Sequence, residues 1–182
     1  MYRRRIFLSA GLCLVIFIGC TQKKGEAKGV IEFCNHQLSP EKSVTCVCKD
    51  PEVSDLTPLS KVKNLEILKL EDTAVSDLSS LSWLTELKKL DLSRTKVVDL
   101  SPLKGLLKLE ELVLLGTKVR DLTPLSKLKK LELLVITQTE VTDLGPLHGL
   151  TNLKSVFAAG TDVSDEQIEA LKKAIPGLKA SK

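Results

Sequence analysis

Between Val53 and Asp162 the apolar side chains recur at two alternating spacings. One half of each cycle puts one at every third place, as in Val53, Leu56, Leu59, Val62 and Leu65. The other half tightens to L-x-x-L-x-L, as in Leu65, Leu68 and Leu70. A period of three is the eclipsed spacing of a 3₁₀ helix rather than the 3.6 of an α-helix. Alternation over a few residues predicts a short strand with one buried face. The full cycle is 22 residues, opens at Val53, Val75, Val97, Val119 and Val141, and begins a sixth time at Val163 before diverging.

A strand and one tight turn have no second layer to cover their leucines. Copies stacked side by side remove those leucines from water and build a continuous parallel sheet, neighbouring strands about 4.8 Å apart. The expected fold class is an α/β solenoid with strands on one face and short 3₁₀ turns on the other, not a globule around a pocket.

The repeats read V-x-D-L-x-P-L-x-x-L-x-x-L-x-x-L-x-L-x-x-T-x, with Ser80 in place of Pro and with Val156 and Ala158 in place of Leu. Over Val53 to Asp162 this resembles the internalin-type class of bacterial leucine-rich repeats. The resemblance implies a curved horseshoe whose concave strand face binds another macromolecule, usually a protein. It implies no shared partner and no catalysis, and no cofactor is expected.

The ends predict where the chain works. Tyr2 to Arg5 is cationic, Ile6 to Ile18 is apolar, and Gly19-Cys20 closes the run. Thirteen residues are too few to span a bilayer comfortably, so residues 1–19 read as an export signal. Phe17-Ile18-Gly19-Cys20 resembles a bacterial lipoprotein box, which makes Cys20 the lipidated first residue of an envelope-anchored chain, on the outer or cytoplasmic membrane. Residues 20–29 then form a flexible tether, 30–52 an N-terminal cap, 53–162 five repeats and 163–182 a C-terminal helical cap.

Charge redirects the choice of partner. The 27 Lys and Arg lose Arg3, Arg4 and Arg5 with the signal, leaving 24 against 23 acidic residues, a net of about +1, which argues against nucleic acid. Lys61, Lys63, Lys104, Lys108, Lys127, Lys129 and Lys130 gather on the turn-bearing side, where a solvated face is the plainer reading than attraction to anionic lipid headgroups or wall polymers.

Three cysteines follow the tether. Projecting the repeat backwards places Cys46 and Cys48 where Leu68 and Leu70 sit, pointing into the core. In an oxidising compartment a disulfide from Cys34 to Cys46 or Cys48 is expected to staple that end. A zinc cage of Cys34, His36, Cys46 and Cys48 is the weaker alternative, because structural zinc uses wider ligand spacings; no metal site is expected. At the other end Ser164 and Gln167 form a capping-box pattern, Ile168, Leu171 and Ile175 share a helical face, and Pro176-Gly177 stops the helix.

Two polar columns read as structural. Asp55, Asp77, Asp99, Asp121, Asp143 and Asp165 recur at one repeat position, each expected to accept backbone N–H bonds at the start of its turn rather than to bind calcium. Thr73, Thr95, Thr117, Thr139 and Thr161 are expected to bond strand-end backbone.

Function must then lie in residues the stack does not need. The strand position between the second and third leucine reads Lys69, Asp91, Val113, Val135, Phe157. The first two repeats offer charge to the concavity, including Arg94, and the last three offer Val113, Leu115, Leu133, Val135 and Phe157, with Gly116 and Gly160 leaving space beside them. An apolar patch rimmed by charge is the anatomy of a protein-binding surface, with Phe157 as its anchor. The plainer reading is that such residues merely suit strands. Only His36 and His148 exist, far apart and outside any catalytic motif, so no enzyme is expected. The alternative function is a self-associating envelope scaffold in which Leu133, Val135 and Phe157 pair two copies.

Overall fold

The computed structural model describes residues 31–34, 36–39 and 44–182. The signal, Cys20 and the tether lie outside the described residues.

Each repeat lays down one three-residue strand. These are β3 (Thr45–Val47), β4 (Ile67–Lys69), β5 (Lys89–Asp91), β6 (Glu111–Val113), β7 (Leu133–Val135) and β8 (Ser155–Phe157). They follow β1 (Ile31–Phe33) and β2 (His36–Leu38), an antiparallel hairpin, and precede β9 (Lys179–Ser181). Strands β3 to β9 form one parallel sheet in sequence order. Register advances by one repeat per strand, so Leu68, Leu90, Leu112, Leu134 and Val156 lie side by side, all buried.

On the opposite side run 3₁₀ turns at Thr57–Lys61, Ser79–Trp83, Ser101–Gly105, Thr123–Lys127 and Gly145–Leu147. Pro58, Pro102, Pro124 and Pro146 stand in the first positions of their turns, where a missing N–H costs nothing and φ is already set. Each turn buries its third-place leucine: Leu59, Leu81, Leu103, Leu125 and Leu147 are fully enclosed. The fold is a leucine-rich repeat horseshoe with the parallel strands on its concave face.

Both ends are closed. Cys46 pairs with Leu68 in β4, and Cys46 and Cys48 are fully buried, continuing the leucine columns by one layer. Cys48 is joined by a disulfide to Cys34, with 5.9 Å between their Cα atoms; Cys46 packs in the core outside that bond. With two of its four ligands consumed in this way, the zinc cage is not formed.

At the far end α1 (Asp165–Ala174) replaces the sixth 3₁₀ turn and buries Ile168 and Leu171, with Ile175 just beyond it. Ser164 Oγ accepts from the Gln167 N–H at 3.3 Å. The reciprocal arm differs from expectation: Gln167 does not reach back, and the Ser164 hydroxyl instead holds the Glu166 carboxyl below its ordinary range. The chain also continues past Gly177, whose φ of +89° turns it back to add β9. Ala180 pairs with Val156, 24 residues earlier, because an α-helix consumes two more residues than a 3₁₀ turn.

Candidate protein-binding face

Two buried or turn-bound polar columns hold the face in shape. The carboxylates of Asp55, Asp77, Asp99, Asp121 and Asp143 each accept the N–H two residues on at 2.8 Å, fixing the entry to the turn. Hydrogen bonds from Thr57, Ser79, Ser101 and Thr123 hold the carboxyls of Asp55, Asp77, Asp99 and Asp121 below their ordinary value, and at Asp99 and Asp121 they outweigh the smaller repulsion from the preceding aspartate. Asp165 departs from this pattern, standing in the first turn of α1 and 3.9 Å from the Lys182 ammonium. The buried hydroxyls of Thr73, Thr95, Thr117, Thr139 and Thr161 each donate to the carbonyl three residues back, at 2.7–2.8 Å. Every repeat therefore leaves its strand by the same bend.

That bend demands a left-handed residue. Asp72, Arg94, Gly116, Gln138 and Gly160 occupy one repeat position and all have φ between 55° and 69°. Gly116 and Gly160 serve this conformation rather than opening space: a Cβ at Gly116 would lie 3.4 Å from Arg94 Cγ, and one at Gly160 would lie 3.3 Å from Gln138 Cγ.

On the concave face Lys69, Asp91, Val113, Val135 and Phe157 are direct register partners from β4 to β8. Leu133 flanks the column within β7, beside Glu111 of β6, and Leu115 follows β6. Val113, Leu115, Leu133 and Val135 are half-buried, while Phe157 stays 44% exposed at the end of the apolar run. The structure thus gathers the apolar residues as one strip.

The charged rim is arranged differently from a free docking surface. Arg94 lies off the strand at the left-handed bend and turns back over the preceding repeat, pairing with Asp72 and Glu71 at 2.5 Å each. Asp72, then Glu71, raises the Arg94 guanidinium above its already high range, while Lys49 and Arg94 lower the Glu71 carboxyl. Asp91 accepts from Ser93 N and Oγ, which draws Ser93 into the buried layer. Lys69 is exposed. Among the described residues no three His, Cys, Asp or Glu converge as metal ligands, and no helix is long and apolar enough to cross a membrane.

One exposed residue escapes the strand-based reading. Trp83, 73% exposed, ends the second 3₁₀ turn at a position that reads Lys61, Gly105, Lys127 and Gly149 in the other repeats. An indole in a column of lysines and glycines is visible in the sequence once the repeats are aligned.

Comparison with known proteins places the architecture. A family model for leucine-rich repeats, in two copies, matches residues 85–127. No curated protein matches the chain by sequence. Among solved structures, internalin C2 of Listeria monocytogenes is similar at 25% identity and a TM-score of 0.71, over 80% of this chain and 74% of that one. A leucine-rich repeat protein of Leptospira interrogans is similar at 24% identity and a TM-score of 0.67, over 72% of this chain but only 35% of its own length. TLR13, solved in complex with ssRNA13, matches at 20% identity and a TM-score of 0.63, over 75% of this chain and 21% of its own. The chain folds as an internalin-like leucine-rich repeat solenoid.

Proposed function

We propose that this is a non-catalytic protein-binding module, exported and held to a bacterial envelope by a lipid on Cys20, that grips a protein partner with its concave sheet. The observation that carries the reading is the strip of Val113, Val135 and Phe157, register partners on three adjacent strands, with Phe157 still 44% exposed. An aromatic anchor beside half-buried aliphatics, bordered by charge, is what a partner's apolar side chains desolvate most profitably. Arg94, Asp91 and Lys89 already have partners within the chain, so the rim steers encounter more than it adds affinity. The near-balanced charge favours protein over the RNA held by the TLR13 neighbour.

A photoreactive residue at Val135, illuminated in intact cells, is expected to crosslink one discrete foreign protein, with the same residue at exposed Val98, off the strip, failing to do so. Crosslinks only to a second copy of this chain would replace the reading with self-association. Mass spectrometry of the mature N-terminal peptide is expected to find acylated Cys20; an unmodified or uncut N-terminus rules out the anchor.

A further inference from the structure

The convex side carries a second surface that the sheet does not explain. Trp83, the sole tryptophan, stands 73% exposed, and in the next repeat Leu107 is 55% exposed. Gly105 takes Trp83's own place in that repeat, and a Cβ there would meet nothing within 4 Å, so no side chain crowds that position. Lys61 and Lys63 stand exposed in the preceding repeat, and Lys104, Lys127 and Lys130 in the following ones. Within residues 57–64, 79–86, 101–108, 123–130 and 145–152 the only carboxylate is Glu86, and Lys108 holds it at 2.6 Å. The aspartate column lies at the other end of these turns, its carboxylates committed to backbone N–H groups.

Lysines alone are a solvated face, and an exposed indole alone is a stray hydrophobe. Together they match the boundary of an anionic bilayer, where an indole sits at headgroup level and lysines meet phosphates. An anionic sugar polymer would satisfy the lysines but offers nothing to Leu107. We propose that this face docks on anionic phospholipid, with Trp83 and Leu107 entering the headgroup layer, which turns the concave sheet away from the membrane and toward its partner. The inference rests on the anchored reading, since a tether from Cys20 to Ile31 reaches at most about 40 Å and keeps the bilayer close.

Because Trp83 is the only tryptophan, its emission reports the contact directly. The full chain is bound through its own N-terminus to vesicles of phosphatidylcholine alone or mixed with phosphatidylglycerol, and followed by flotation and fluorescence. In mixed vesicles Trp83 emission is expected to shift to the blue and to be quenched by brominated acyl chains, while in phosphatidylcholine alone it stays as in water. The combined changes Lys104→Glu, Lys127→Glu and Lys130→Glu, all at exposed positions, are expected to abolish the shift without releasing the chain. Emission that stays water-like although the chain floats with mixed vesicles overturns the docking alone, as does a shift that survives the lysine changes. A chain that floats with neither vesicle overturns the anchored reading and the docking with it.

Discussion

At the scale of single residues, the repeat asks for the same backbone act five times and the side chains meet it unequally. Only glycine takes the left-handed bend without strain, yet Arg94 and Gln138 hold it beside Gly116 and Gly160. The cost for a non-glycine residue is about 1–2 kcal/mol, partly offset by glycine's greater freedom when unfolded. Gln138→Gly is therefore expected to raise stability by up to about 1 kcal/mol and Gly116→Val to lower it by about 1–2 kcal/mol, read from urea midpoints. Asp55, Asp77, Asp99 and Asp121 titrate below their ordinary 3.8 when folded. A depressed folded value gives stability that is complete above the unfolded value and lost as pH falls through the folded one. Melting temperature should hold down to about pH 4 and drop below it. Asp99→Asn, which keeps an accepting oxygen at the turn but not the charge, should soften the drop by lowering the neutral-pH melt slightly toward the acid one. An acid limb identical to the parent's would mean that Asp99 carries no linked proton.

Among elements, what could be read from the sequence follows from repetition. A position met five times in one environment shows its demand, and that made the strands, the 3₁₀ turns, the aspartate and threonine bonds and the Val113–Val135–Phe157 register legible in advance. The less predictable features are those that occur once. Strand β9 breaks the period: a spacing of 22 would set Leu178 beside Val156, but α1 shifts the register by two residues and Ala180 takes that place instead. The Arg94 clamp was hidden because a long side chain can reach back 22 residues to the previous repeat, a distance no local pattern records. Ser93 lies buried and bonded to Asp91, a pair that no other repeat carries at those positions. The N-terminal hairpin depends on one covalent link across a separation of 14 residues, a closure worth about 3 kcal/mol to a chain end with little core of its own. Replacing Cys34 and Cys48 with serine should leave the repeats folded but expose residues before Val53 to limited proteolysis. Cleavage that instead spreads through β6 would show the ends and middle of the stack to be one cooperative unit.

At the scale of the molecule, each strand of the parallel sheet pairs with its neighbours in sequence among the described residues, and one buried leucine layer continues from the disulfide end to α1. Ion pairs between adjacent repeats, such as Lys88–Glu66, Lys108–Glu86 and Lys154–Glu132, cross the surface of that stack at 2.6–2.7 Å. Half exposed at the surface, they add little stability and chiefly keep it free of bare single-sign charge. A scaffold so evenly satisfied leaves two surfaces without an internal reason, the apolar strip inside the curve and the Trp83 face outside it. The most direct measurement is the affinity of the protein crosslinked at Val135 for Phe157→Asp, taken with its circular dichroism and melt. Loss of binding by about 30-fold or more with an unchanged fold is expected, since Phe157 projects from the sheet and anchors the strip. Binding at parental strength by a variant that melts like the parent would show that the concave strip is not where the partner sits.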